Sequence, residues 1–262
     1  MNINYSFAVT PDLVENVRET ARQAGAIIMD IYNSDFAVKS KEDRTPVTEA
    51  DEKSEDHIMR ALASLTPDIP FIGEESYAAG ARPDISGGIF WLVDALDGTK
   101  EFVRRLDEFT VNIALVKNGE PKFGVVYAPA IDAMYWGGPM GAFAETKNVP
   151  AHAIAARVPE SGGMIAVTSR SHRGAEDDFL SAYNIKDKIQ SGSSLKFCLI
   201  AAGEADIYPR LAGTSEWDTA AGHAVLTAAG GSVKSLEGVN LVYGKDDILN
   251  PHFIALGRPA PR

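Results

Sequence analysis

The sequence predicts a mixed chain, α+β in its first half and α/β in its second, on three observations. Near the N-terminus apolar residues recur every three or four positions, as on a buried helical face. From residue 69 they come instead in short runs bounded by glycine, proline and acidic residues, as in strands. Beyond residue 163 the two patterns alternate, the arrangement that builds α/β layers.

Thr10 and Pro11 supply an N-cap and a helix-compatible proline ahead of Val17, Ala21, Ala24, Ile28 and Ile31, which share one face. A polar loop from Ser40 to Pro46 follows. Thr48 and Asp51 then form a pair resembling a capping box ahead of Ile58, Met59, Leu62 and Leu65, which predicts a second helix. The runs IPFIG (69–73), IFWLVD (89–94), FTVNIALV (109–116), FGVVYAP (123–129) and AMYWG (133–137) read as strands. Asn118-Gly119, between the third and fourth, favours a type I′ hairpin because both central residues need positive φ.

Val149 to Gly163 is rich in alanine, proline and glycine, and places a boundary near residue 150. The expectation is an N-terminal α+β domain over 1–150 and a C-terminal α/β domain over 151–262. In the second, MIAVTS and DIYPR read as strands, while AEDDFLSAY, SLKFCLIAAG and WDTAAGHAVLTAAGG read as helices.

Composition narrows the function. At 262 residues, 45% hydrophobic and 23% charged, the chain is an ordinary folded protein with a sizeable core. A net charge of −11 disfavours nonspecific nucleic-acid binding, and an anionic substrate would need bound cations to approach it. The single cysteine, Cys198, rules out an internal disulfide or a cysteine zinc cage, and its place in the run FCLI makes it a buried small hydrophobe. No basic leader and no long apolar run is present, which points to a cytoplasmic protein with no integral membrane segment.

Three acidic clusters stand at strand ends or helix starts: Glu74-Glu75 after IPFIG, Asp94 and Asp97 in DALDGT after IFWLVD, and Asp218 at the head of the last long helix. Carboxylates without histidine or thiol suit Mg²⁺ or Mn²⁺, hard ions that take oxygen ligands. In DALDGT both aspartates and the Leu96 carbonyl could face one ion around a turn, Gly98 would let the backbone approach closely, and Thr99 adds a hydroxyl. Simpler readings stand beside these. Glu74 and Glu75 could be a solvated turn, Asp218 a helix cap, and Asp51 only the N3 member of its capping box. Asp94 resists such a reading, because an unpaired carboxylate at the end of so apolar a strand is costly.

These motifs resemble the inositol monophosphatase superfamily of Mg²⁺-dependent, Li⁺-sensitive phosphatases, and within it the bacterial 3′(2′),5′-bisphosphate nucleotidases of the CysQ type. The matching blocks are DRTPVTEAD (43–51), FIGEES (71–76), WLVDALDGTKEFV (91–103), EFTVNIALV (108–116), GVVYAP (124–129), SRSH (169–172), GSSLKFC (192–198), ADIYPR (205–210) and WDTAAGHAV (217–225), in order along most of the chain. The resemblance implies a layered α-β-α-β-α sandwich of the inositol monophosphatase and fructose-1,6-bisphosphatase type. It places metal ligands on Glu74, Asp94, the Leu96 carbonyl, Asp97 and Asp218, a weaker metal position on Asp51, and catalytic roles on Glu74, Thr99 and Asp51. Many relatives have proline where this chain has Ala95, which supplies shape and removes no ligand.

The resemblance further implies hydrolysis of a phosphate monoester by water activated between two ions, with two or three Mg²⁺ per site, Mn²⁺ as a substitute, and Li⁺ and Ca²⁺ as inhibitors. An aspartyl-phosphate route of the haloacid dehalogenase type is disfavoured, because there the aspartates are two apart and here they are three apart. Inositol-specific relatives carry an acidic residue seven positions before the WD aspartate, where this chain has Leu211. Gly98, Thr99, His172, Ser193, Lys196, Arg210 and Asp218 match substrate contacts in the nucleotidases, and two cations suit a second phosphate. Taken singly, Lys196 could be a surface lysine, Arg210 could pair with Asp206 or Glu216, and His172 could be a loop residue. The expected substrate is the nucleotide bisphosphate 3′-phosphoadenosine 5′-phosphate, and the 5′-phosphosulfate analogue is a further candidate. The alternatives are an inositol or general sugar-phosphate monophosphatase and, from another class, a noncatalytic metal or nucleotide sensor. The oligomeric state is open between monomer and homodimer, as is peripheral association with the inner membrane.

Overall fold

The computed structural model describes residues 7–34, 38–40, 46–170 and 173–259. Helix α1 (Pro11–Tyr32) starts where its cap predicts, with the Leu13 amide donating to Thr10 Oγ1 at 3.2 Å. Val17, Ala21, Ala24 and Ile28 are fully buried, Ile31 sits on the flank, and Tyr32 closes the face. Two short strands, β1 (Val38–Ser40) and β2 (Pro46–Thr48), pair antiparallel, and residues 41–45 of the expected polar loop lie outside the described residues. Helix α2 (Glu49–Leu65) buries Ile58 and Leu62. Met59 departs from expectation at 38% exposed, because a residue adjacent to Ile58 turns about 100° away from the core-facing stripe.

The first sheet has seven strands in sequential order: β3 (Phe71–Gly73), β4 (Ile89–Asp97), β5 (Thr110–Lys117), β6 (Glu120–Ala128), β7 (Ala133–Gly138), β8 (Gly141–Thr146) and β9 (Val149–Ile154). Only β3 and β4 run parallel. The β5–β6 hairpin has the expected turn, with φ of 53° at Asn118 and 78° at Gly119. Strands β8 and β9 are not evident in the sequence. Strand β9 is an edge strand exposed along nearly its whole length, so it lacks the alternation that marks a half-buried strand. The sheet therefore continues through residue 150 to Ile154.

The second sheet runs β11 (Ile185–Gln190), β10 (Met164–Thr168), β12 (Ile207–Arg210), β14 (Phe253–Leu256), β13 (Ser232–Ser235), parallel at the β11 side and antiparallel at the other. Helices α6 (Leu195–Ala201) and α7 (Trp217–Ala228) lie between the sheets, in a core that joins Leu92, Val116 and Val126 of the first to Tyr208 and Phe253 of the second. Helices α1 and α2 cover the outer face of the first sheet through a second core around Trp91, Ile113 and Phe123. Helix α5 (Arg173–Leu180) covers the outer face of the second, where Leu180 packs with Ala166, Ile207 and Ile254. The layers are thus α-β-α-β-α. Helix α7 approaches the first sheet so closely that a Cβ on Gly124 would lie 2.5 Å from the Ala221 carbonyl oxygen. No helix of the described residues is long and apolar enough to cross a membrane.

Candidate active site

The site begins with a β-bulge. Asp94 pairs with Asn112 and Asp97 with Thr110, so three steps along β4 oppose two along β5. In a regular strand, residues three apart face opposite ways; the extra residue restores the phase and brings Asp97 beside Asp94, whose carboxyl feels its charge. The expected turn from Asp94 is corrected accordingly. The strand continues through Asp97, Ala95 and Leu96 turn their side chains into the core, and the chain bends only at Gly98, at φ 93°. Gly98 is the N-cap of α4 (Thr99–Val103), and Thr99 Oγ1 donates to the Leu96 carbonyl at 3.4 Å.

Glu74 arrives at the first position of a short helix, α3 (Glu74–Ala78), and Asp218 in the first turn of α7. One oxygen each from Glu74, Asp94 and Asp218 lie within 4.8 Å of one another. Burial, with Asp94 1% exposed, raises its carboxyl well above the usual range, and the charges of Glu74, Asp97, Asp218 and Asp51 push the same way. Burial and the charges of Asp97 and Glu74 likewise raise Asp218 to about 8, against a 2.8 Å hydrogen bond from the Ser215 amide that lowers it. Asp218 is therefore not the cap of α7: the N-cap is Glu216, which makes no side-chain cap bond, and the Asp218 carboxylate takes the Ser215 amide just ahead of the helix while facing the cluster. An all-oxygen donor set under such mutual repulsion fits a hard divalent cation, which would remove the repulsion and hold the carboxylates ionised. Asp51 is buried on α2 and acts on Asp94 by charge, but stands outside the close trio.

Asp97 is fixed from the second half of the chain. Ser193 Oγ donates to Asp97 Oδ2 at 2.6 Å, and Ser194 Oγ, whose single proton is shared between two acceptors, lies 2.8 Å from the Asp218 carbonyl and 3.2 Å from Asp97 Oδ2. Beside these groups opens a cavity of about 150 Å³ lined by Asp97, Gly98, Ser193, Lys196, Arg210 and Asp218. Lys196 is no surface lysine. It is 5% exposed, its Nζ donates to the Ser193 carbonyl at 2.6 Å, and burial lowers its ammonium to about 8. Arg210 pairs with neither expected partner, since Asp206 takes Arg157 at 2.8 Å through both oxygens and Glu216 holds Lys245 and the Gly244 amide. Its Nη2 donates to the Gly213 carbonyl at 3.3 Å, and its Nε is buried without a hydrogen-bond partner. His172 lies outside the described residues. Cys198 is buried, as expected, and burial raises its thiol.

One residue of this neighbourhood is missed by sequence reasoning. Glu55, 4% exposed on α2, accepts the Glu75 amide at 2.8 Å and the Ser76 amide at 2.7 Å. Burial raises its carboxyl, and those two amides oppose the shift. Its spacing of four from Asp51, on the buried face of one helix, is the signal that could have found it.

Carboxylates that repel one another at close range, beside a buried ammonium and a half-buried guanidinium suited to phosphate, put the chain among the divalent-cation-dependent phosphatases. More narrowly, it belongs to the inositol monophosphatase family, whose model matches residues 11–258. It is 43% identical over 245 residues to the 3′(2′),5′-bisphosphate nucleotidase CysQ of Escherichia coli strain K12, covering 92% of this chain and 98% of that one. The nucleotidase of the same name from Aggregatibacter actinomycetemcomitans is 35% identical over 257 residues, 94% of this chain and 93% of that one. Among solved structures, CysQ from Bacteroides thetaiotaomicron superposes with a TM-score of 0.80 at 34% identity, over 94% of this chain and 97% of that one. The inositol monophosphatase from Anabaena gives 0.75 at 26% identity, over 94% and 91%.

Proposed function

We propose that this chain is a 3′(2′),5′-bisphosphate nucleotidase that removes the 3′-phosphate of 3′-phosphoadenosine 5′-phosphate to leave AMP. The observation that carries the choice of substrate is the pairing of buried Lys196 with Arg210 in the cavity that also opens onto Asp97 and Asp218. A bisphosphate brings a second dianion to such a pair, which a polyol monophosphate does not.

Glu74, Asp94, the Leu96 carbonyl, Asp97 and Asp218 would hold Mg²⁺ or Mn²⁺, with Asp51 as an outer contributor. Bound there, the ions would acidify water and neutralise the ester's charge. The chain's own groups do the rest. The Glu74 carboxylate accepts a proton from the attacking water, and the Thr99 hydroxyl, set by its bond to the Leu96 carbonyl, fixes that water in line with the ester. Gly98, at a φ that favours glycine, lets the backbone approach the phosphate beside the first turn of α4. Lys196 and Arg210 bind the second phosphate, Ser193 orients Asp97, and His172 is assigned to the nucleoside. Inhibition by Li⁺ and Ca²⁺ and a cytoplasmic location belong to the same reading.

Initial rates on 3′-phosphoadenosine 5′-phosphate and on myo-inositol 1-phosphate at equal Mg²⁺ test it. A strong preference for the nucleotide is expected. Equal rates, or preference for the inositol ester, would make the protein a general monophosphatase, and no phosphate release from either would make it a sensor.

A further inference from the structure

We infer that Glu55 is a positioning residue that sets the divalent-cation affinity of the site by clamping the helix that carries Glu74. The inference rests on Glu74 holding a cation, as proposed above.

Helix α3 is five residues long, and none of its residues is buried. So short a helix has no stability of its own, and its first amides need acceptors from outside. Its N-cap, Gly73, has no side chain to offer. The acceptors come from another helix: the two carboxylate oxygens of Glu55 take the Glu75 and Ser76 amides, one each, at 2.8 and 2.7 Å. Gly73 is what admits them, because a Cβ there would lie 2.5–2.7 Å from the Glu55 carboxylate atoms.

This clamp acts on the residue just before the amides it holds. Glu74 reaches to within 4.8 Å of Asp94 and Asp218, against their repulsion, from the most lightly packed element of the site. On the other side α3 is braced by Tyr77 against Trp217, ring centroids 5.4 Å apart. Glu55 supplies the fixed point at the Glu74 end. It also stands one helical turn after Asp51 on the same buried face of α2, so one rigid helix places the Asp51 carboxylate and the mounting of Glu74. Partners that orient metal-holding side chains in this way commonly change cation affinity by 10–100-fold when removed.

The test compares Glu55→Gln and Gly73→Ala with the wild-type full chain. Glu55→Gln leaves one acceptor and turns an amide NH₂ toward a backbone N–H; Gly73→Ala displaces the clamp without touching Glu55. The measurements are Mg²⁺ binding by calorimetry, the Mg²⁺ concentration for half-maximal activity, substrate KM at saturating Mg²⁺, and thermal melting in EDTA. Both variants are expected to need about tenfold more Mg²⁺ or beyond, with activity recovered at high Mg²⁺ and KM within about twofold of wild type. Unchanged Mg²⁺ binding in a folded variant overturns the inference, including the case where only the melting temperature falls. Should Glu55→Gln fail to fold, Gly73→Ala decides alone. Glu74→Gln is the control for the underlying reading: if its Mg²⁺ binding matches wild type, Glu74 holds no cation, and that failure is read independently of Glu55.

Discussion

Ser193 Oγ lies 2.6 Å from Asp97 Oδ2, across 96 positions of sequence, and ties the second half of the chain to the bulge in β4. Ser193 holds a φ of 52° to do so, a left-handed conformation that costs a non-glycine residue about 1–2 kcal/mol. Ser193→Ala should lower turnover about tenfold or more, since a hydrogen bond to a charged group is worth about 1.5–3 kcal/mol. Ser193→Gly should lose as much activity yet melt higher than Ser193→Ala, because glycine relieves the backbone. Parallel rate and melting measurements separate the two effects; equal melting points would show that the conformation carries no strain.

Asp94 should trade stability for activity. With its carboxyl raised by burial and four neighbouring charges, Asp94→Asn removes repulsion while keeping an oxygen for the Leu96 amide, now 3.1 Å from Oδ1. In EDTA the variant should melt above wild type, yet gain less from added Mg²⁺ and lose at least about 100-fold in turnover. Near-normal activity at low Mg²⁺ would remove Asp94 from the cation site.

As the proposed anchor of the second phosphate, Lys196 should make substrate binding depend on pH. Burial lowers its ammonium to about 8, so it is charged below that pH and neutral above it. The KM for the bisphosphate should rise as pH climbs from 7 to 9, and Lys196→Met should start with a high KM and lose that dependence. The same variant should melt above wild type, since it replaces a buried charge with an apolar chain of similar length. A pH profile unchanged in Lys196→Met would assign the titration elsewhere.

His223 predicts an acid-sensitive fold. It is 7% exposed, its Nδ1 is 2.9 Å from Tyr243 Oη, and burial lowers its pKa to about 4. Between its ordinary value of about 6.5 and 4 the unfolded chain binds a proton that the native one refuses, so stability is lost as pH falls through that window, by up to about 3 kcal/mol. Denaturant titrations at pH 7 and pH 4.5 should show a smaller difference in His223→Gln than in wild type.

Gly124→Ala should destabilise the protein by about 1–3 kcal/mol, because the new methyl has nowhere to go against the α7 backbone at 2.5 Å. Turnover should fall with it, since α7 also carries Asp218. Denaturant midpoints and rates measured on one preparation check both.

The sequence carried the helices and central strands because each has one buried face, as Val17, Ala21, Ala24 and Ile28 show for α1. It carried the acidic clusters because carboxylates in apolar surroundings are conspicuous. It did not carry the β4 bulge, since two aspartates three apart read equally well as a turn, and only pairing with Asn112 and Thr110 distinguishes them. Strand β9 was invisible because an exposed edge has no alternation to read. Glu55 looked like any acidic residue on a solvated helix, because its partners are backbone amides twenty positions away, and backbone groups leave no mark in composition. Burial of Lys196 is likewise a product of where α6 packs.

Helix α7 lies late in the sequence, yet it seals the inner face of β5, β6 and β7. A gene fragment ending at residue 150 would encode most of that sheet and the outer cover of α1 and α2, but none of its inner cover, leaving Leu92, Val116 and Val126 bare to water. Such a product should aggregate when expressed alone, and co-expression with the remainder should raise its recovery in the soluble fraction.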